Sequence, residues 1–227
     1  MTSPVIDVHT HVLTDAWFEL LHAHGAPRYS VREVRGGLRA IHLDGAPFMT
    51  PVPAMFDYDL RLKTMDRHGV DVGVVSLTCP NVFWGGPEVS LKAARIMNDD
   101  MAAAQTAHPD RLRWFASLPW QYPERALAEL DRAHAAGASG VMVLANIDGR
   151  SLTDPVFAPI WAAINAKALP VLGRSLVRAG RASSGAPGGE GRGALWTGAV
   201  VRTGGVRGAL GEVEVPDPRL NDLARLG

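Results

Sequence analysis

Among 227 residues there is one cysteine, Cys79, so neither a disulfide framework within the chain nor a cysteine-rich zinc site can form. Neither sign of charge is in excess. The 23 Lys and Arg are matched by 23 Asp and Glu, which leaves no positive field to hold nucleic acid or an anionic membrane. No apolar run approaches the ~18 residues of a membrane span, and the opening MTSPVIDVHTH has no basic stretch followed by an apolar one. These absences predict a cytoplasmic chain with small-molecule partners, no nucleic acid and no membrane. Any metal must be held by histidine and carboxylate. What is present, 47% hydrophobic against 20% charged residues, suffices for one sizeable core.

Histidine and glycine are unevenly spread. All eight histidines lie at or before His134, whereas 13 of the 24 glycines fall in residues 173–227. That tail carries eight Arg, no Lys and one aromatic residue, Trp196, and its stretch GRASSGAPGGEGRGAL predicts disorder. Two regions follow: residues 1–172, and an atypical Gly/Arg-rich tail over 173–227. Glycine, alanine and arginine enrichment that begins abruptly in mid-strand is also what an out-of-frame reading of GC-rich codons produces.

Residues 1–172 alternate strand and helix. Val5–Val8 and Val70–Leu77 are apolar runs rich in β-branched residues, and between them Asp57 or Asp59 can cap a helix that Gly69 stops. Glu88–Ala107 predicts a helix ended by His108-Pro109, and Arg113–Leu118 a third strand. A helix over Glu124–Ala136, a strand over Gly140–Leu144, a helix from Asp154-Pro155 to about Ala168 and a strand from Pro170 complete the pattern. Parallel strands joined by helical crossovers make this an α/β fold of the (β/α) TIM-like barrel or doubly wound kind. A barrel built on it is incomplete, with about four and a half βα units, because a typical barrel takes ~250 residues. Edges left open on strands one and five would drive association, so a homo-oligomer is expected.

His9 and His11 stand two apart on the first strand, so both leave one face; alternation puts Asp7 on that face too and turns Val8 to the opposite layer. Two imidazoles so placed can chelate one divalent ion. Around them stand Ile6-Asp7-Val8-His9-Thr10-His11, Met65-Asp66-Arg67-His68-Gly69-Val70-Asp71, Met97-Asn98-Asp99, His108-Pro109-Asp110-Arg111 and Leu118-Pro119. Ala136-Gly137-Ala138-Ser139-Gly140-Val141, Leu152-Thr153-Asp154-Pro155-Val156-Phe157 with Trp161, and Leu169-Pro170-Val171-Leu172 follow. Over about residues 4–172 this set resembles the amidohydrolase superfamily, in the branch of aminocarboxymuconate semialdehyde decarboxylase and related non-oxidative decarboxylases.

The resemblance implies a TIM-like barrel holding one divalent metal, with zinc expected, through His9 and His11, a strand-five His and a strand-eight Asp, while a strand-six His moves protons. It implies decarboxylation or hydrolysis of a small carboxylate by a metal-bound water or hydroxide. The later ligands have no counterpart here: Gly173-Arg174-Ser175 follows Leu172 where the family continues Val-His-Pro-like, and Asp217 and Asp222 lack the strand-eight context. A non-catalytic half barrel is therefore the competing reading, and whether the chain is an enzyme stays open. A metal-dependent nuclease or phosphoesterase beginning Asp-x-His-x-His is a third, disfavoured by the lack of a basic cluster.

Arg39 or Arg35 can pair with a substrate carboxylate, and Arg39 is carried as the substrate-binding candidate. Both lie in residues 25–56, a segment long enough to cover the barrel mouth, which also holds His42. His22 and His24 diverge on a helix, His68 suits a helix C-terminus, and Cys79 suits a buried position. Phe83 and Trp84 can line a pocket, with Asn81 and Asn146 at strand ends. Asn98-Asp99-Asp100 suits helix packing or salt bridges, and Gly188–Gly193 a linker rather than a phosphate cradle.

Overall fold

The computed structural model describes residues 3–34, 36–174 and 198–201. Strand β1 (Ile6–Val12) leads into helix α1 (Asp15–His24), whose first turn is capped by the Thr14 hydroxyl accepting the Trp17 N–H. An antiparallel meander follows, β2 (Tyr29–Val34), β3 (Leu38–Leu43) and β4 (Ala46–Met49), in the segment expected to cover the barrel mouth. Helix α2 (Tyr58–His68) starts where the Asp57 carboxylate accepts the Leu60 N–H and ends at Gly69, whose φ of 67° is the left-handed cap that glycine permits. Then come β5 (Val72–Leu77), α3 (Pro87–Ala107), β6 (Leu112–Ser117), α4 (Pro123–Ala135) and β7 (Gly140–Leu144). A short hairpin, β8 (Asn146–Ile147) with β9 (Arg150–Ser151), precedes α5 (Ala158–Ala166), β10 (Val171–Arg174) and β11 (Gly198–Val201).

The main sheet runs β1-β5-β6-β7-β10-β11. Its first five strands are all parallel, joined by helices, and form the incomplete TIM-like barrel that the strand spacing predicts. The far edge of β10, expected to be open, pairs antiparallel with β11 instead. No strand pairs the other edge of β1 among the described residues. The other expectations for 173–227, including a shifted frame, disorder, the Gly188–Gly193 linker and the roles of Asp217 and Asp222, lie outside the described residues.

Parallel strands buried on both faces carry two apolar layers. Val75, Leu77, Trp114, Ala116, Val141, Val143 and Val171 face the helices and join the large core with Trp17, Met97, Met101, Leu130 and Ile160. Val74, Phe115, Met142, Leu144 and Leu172 form the inner layer, with Ile6, Val8, Phe48 and Phe83 packed on it. Phe48 of β4 thus brings the meander onto the concave face. Among the described residues, no helix is long and apolar enough to cross a membrane.

Candidate functional site

The inner face turns polar at the C-terminal ends of β1 and β5. There the ring Nε2 atoms of His9 and His11 lie 3.1 Å apart, their rings edge to face with centroids 4.9 Å apart. His11 Nδ1 lies 3.1 Å from the Ser76 hydroxyl and 3.2 Å from the Ser76 carbonyl oxygen. The two histidines converge as their spacing of two predicts, but alternation from the start of the strand does not set the face on which they do so.

A β-bulge between Asp7 and Thr10 inserts one residue against β5. It forms where the Asp7 carboxylate accepts the His9 backbone N–H at 3.0 Å, a local turn that aspartate favours. Ile6 and Val8 therefore pack on the inner layer before the bulge, and His9 and His11 face inward after it. Asp7 does not share their face, as alternation would have it. It lies on the helix side, within electrostatic reach of Arg61 of α2.

Arg61 grips the same strand from outside. Its guanidinium donates to the Thr10 hydroxyl, the His11 carbonyl and, at 3.0 Å, the Ala54 carbonyl. Burial lowers its pKa, while Tyr58 and Asp7 favour its charged form. Neither Ser76 nor Arg61 was singled out from the sequence. The available signals were a lone hydroxyl inside the apolar run VGVVSL, and a basic residue one helical turn before buried Met65.

The remaining candidates are dispersed. Arg39 of β3 donates to Asp15 and Glu19 of α1 and lies over the Phe18 ring, 4.5 Å from its centroid, so two carboxylates of the chain itself occupy its fork. Arg35 lies outside the described residues. His42 is buried in β3, and its Nδ1 has no hydrogen-bond partner. His22 and His24 are exposed on α1, and His68 returns a hydrogen bond to the Thr64 carbonyl at 2.8 Å. Cys79 is buried in the inner layer. The buried Asn81 accepts the Trp84 indole N–H on its carbonyl at 2.8 Å, and Asn146 caps its own turn by accepting the Gly149 N–H.

A cavity of about 480 Å³ opens among the loops after β5, β6 and β7, lined by Arg28, Tyr29, Phe83, Trp84, Gln121 and Arg150 among others. Phe83 borders both this cavity and the inner layer. Burial raises the Tyr29 pKa, opposed by the Arg28 charge, so its hydroxyl stays protonated.

Zinc–nitrogen bonds are ~2.0–2.1 Å long. Nitrogens 3.1 Å apart can therefore both touch one ion. Among the described residues no group of three or more His, Cys, Asp or Glu comes together. The pair fits a divalent ion as two of its donors, without a third from the described residues.

Comparison with known proteins adds ancestry to this geometry. The family model described as Amidohydrolase matches residues 6–172. The 2-amino-3-carboxymuconate-6-semialdehyde decarboxylase of Dictyostelium discoideum is 31% identical over 160 residues, 69% of this chain and 44% of that protein. The 5-carboxyvanillate decarboxylase LigW of Sphingomonas paucimobilis superposes with a TM-score of 0.62 at 26% identity, over 75% of this chain and 51% of that one. The apo Metarhizium anisopliae IDCase superposes with a TM-score of 0.69 at 23% identity, over 77% and 51%. The chain thus spans about half the length of the relatives it matches.

Proposed function

Because the chain belongs to the amidohydrolase family, we propose that it acts on a small carboxylate, by loss of carbon dioxide or addition of water, with His9 and His11 holding one divalent ion. The observation that carries this reading is the 3.1 Å approach of the two Nε2 atoms on the concave face of the half barrel. The similarity to decarboxylases puts loss of carbon dioxide ahead of hydrolysis.

Zinc is the first candidate because imidazole suits it. When bound, such an ion supplies Lewis-acid polarisation of a substrate oxygen. The protein's part is to present two imidazoles on a strand anchored by Arg61, beside an apolar inner layer on which Phe48 and Phe83 pack. Arg39 can take the substrate carboxylate only by exchanging Asp15 and Glu19 for it. A cytoplasmic homo-oligomer, associating through the edge of β1, belongs to the same proposal.

A second reading is a non-catalytic half barrel: among the described residues no third His, Cys, Asp or Glu joins the pair, and catalytic zinc sites use three protein ligands and keep an open position. Calorimetric titration of the full chain with zinc, and separately with manganese, tests the metal. The unaltered chain should bind more tightly than the His9→Ala, His11→Ala variant, and equal affinity overturns the proposal. Carbon dioxide release from 5-carboxyvanillate by the metal-loaded chain favours the enzyme. Binding of metal with no turnover of this or other small carboxylates favours the half barrel.

A further inference from the structure

We propose that Ser76 is a positioning residue that fixes His11 as its Nδ1–H tautomer, leaving Nε2 as the nitrogen that meets a metal. The inference rests on the reading of His9 and His11 as a metal-holding pair. Ser76 stands directly beside His11 in the parallel ladder of β1 and β5, and its side chain is fully buried. A hydroxyl in an otherwise apolar strand is costly unless hydrogen-bonded. Here the hydroxyl donates to the Thr10 carbonyl at 3.5 Å and so keeps its lone pairs for His11 Nδ1, 3.1 Å away.

The tautomer follows from the second contact. A backbone carbonyl can only accept, and the Ser76 carbonyl oxygen lies 3.2 Å from the same Nδ1, so that nitrogen carries the hydrogen. In a neutral imidazole the lone pair then sits on Nε2, the atom turned toward His9. Arg61 holds the other side of the residue through the His11 carbonyl. The backbone and the ring of His11 are therefore each held by a different neighbour. Partners of this kind orient a ligating imidazole, and their loss typically lowers metal affinity ~10–100-fold.

Two measurements test the assignment. Long-range proton–nitrogen NMR correlations on the metal-free, nitrogen-15-labelled chain should show His11 protonated on Nδ1 and bare on Nε2. The reverse pattern overturns the proposal, and this readout needs no variant to fold. Zinc titrations should then find Ser76→Ala weaker by about tenfold or more, with Ser76→Thr, which keeps a hydroxyl, close to the unaltered chain. Zinc binding that is lost in the His9→Ala, His11→Ala variant but unchanged in Ser76→Ala overturns this inference alone. Zinc binding indifferent to both histidines overturns the metal reading, and this inference with it.

Discussion

Two polar clusters flank the same sheet, one outside it and one inside, and they differ in the kinds of atom they bring together. Outside, between α3 and α4, Glu129 is fully buried, and both of its oxygens are engaged. Oε1 accepts from Asn98 and Arg132 at 2.7 Å each, and Oε2 from Arg132 at 2.8 Å and Arg95 at 3.4 Å. Asn98 also pairs with the backbone N–H and carbonyl of Ser117, tying α3 to the end of β6. Asp99 adds an ion pair to Arg132, whose pKa these bonds raise, that of Glu129 first. Inside, His9 and His11 bring two nitrogens of the same kind to 3.1 Å, an arrangement that one shared proton or one shared cation satisfies. Complementary partners close a cluster on itself and make it structure. Two like nitrogens that converge are instead the arrangement on which the proposed metal site rests.

The largest effect that would break this contrast is on folding. Glu129→Ala removes a fully buried carboxylate. Asn98 keeps the Ser117 carbonyl, Arg132 keeps Asp99 and both arginines reach water, so the loss should be ~3 kcal/mol, the low end for breaking a buried pair. The His9→Ala, His11→Ala variant removes the half-buried contact between the rings and those of His11 with Ser76, together worth about 1–2 kcal/mol in the metal-free chain. Urea unfolding should therefore rank Glu129→Ala below the double histidine variant in stability, whereas zinc titration should rank them the other way. Comparable losses of stability would mean that the histidine pair is also a structural cluster.

Much of this was legible in the sequence, for identifiable reasons. Asp57 and Gly69 mark the ends of α2 because capping chemistry is local, and Gly140–Leu144 reads as a strand because a sheet covered on both faces needs an unbroken apolar run. The convergence of His9 and His11 was legible too, though for an incomplete reason: the bulge depends on an Asp7 hydrogen bond that simple alternation ignores. The meander carried a signal that went unused. Gly36-Gly37 and Asp44-Gly45 are tight-hairpin dipeptides, and all four residues have positive φ. Ser76 and Arg61 were illegible because their meaning comes from neighbours 65 and 50 residues away in the chain.

A smaller effect concerns a pair that belongs to neither cluster. The Tyr58 hydroxyl donates to Asp100 at 2.7 Å, bridging α2 to α3. Burial, and then the Asp100 charge, push the Tyr58 pKa well above the ordinary tyrosine range, while burial raises that of Asp100 against the opposing bond from Tyr58. Tyr58→Phe should cost about 1.5–3 kcal/mol at neutral pH. The sign of the pH dependence follows from linkage. Because the folded pKa is raised, the stabilisation is fully present below the unfolded value of ~10 and is lost as pH climbs beyond it, where the unfolded tyrosine ionises and the folded one resists. The gap between the unaltered chain and Tyr58→Phe should therefore narrow above about pH 10, as urea midpoints across that range will show. A gap that widens there would contradict the buried, neutral hydroxyl.

The smallest expected effect on stability decides which side of the contrast Arg39 joins. Its partners Asp15 and Glu19 are largely exposed, and exposed pairs contribute ~0–1 kcal/mol. Arg39→Ala should therefore shift the urea midpoint by an amount corresponding to less than about 1 kcal/mol, including what its position over Phe18 adds. That weakness is what lets a guanidinium exchange partners, because pairs so readily opened can be replaced by a better-desolvated carboxylate. If Arg39 makes that exchange, the metal-loaded Arg39→Ala variant will bind 5-carboxyvanillate more weakly at almost unchanged stability, whereas Glu129→Ala will lose stability first. If carboxylate affinity is unchanged, Arg39 is a clip between β3 and α1, as closed a unit as the Glu129 cluster, and it drops out of the proposed carboxylate site.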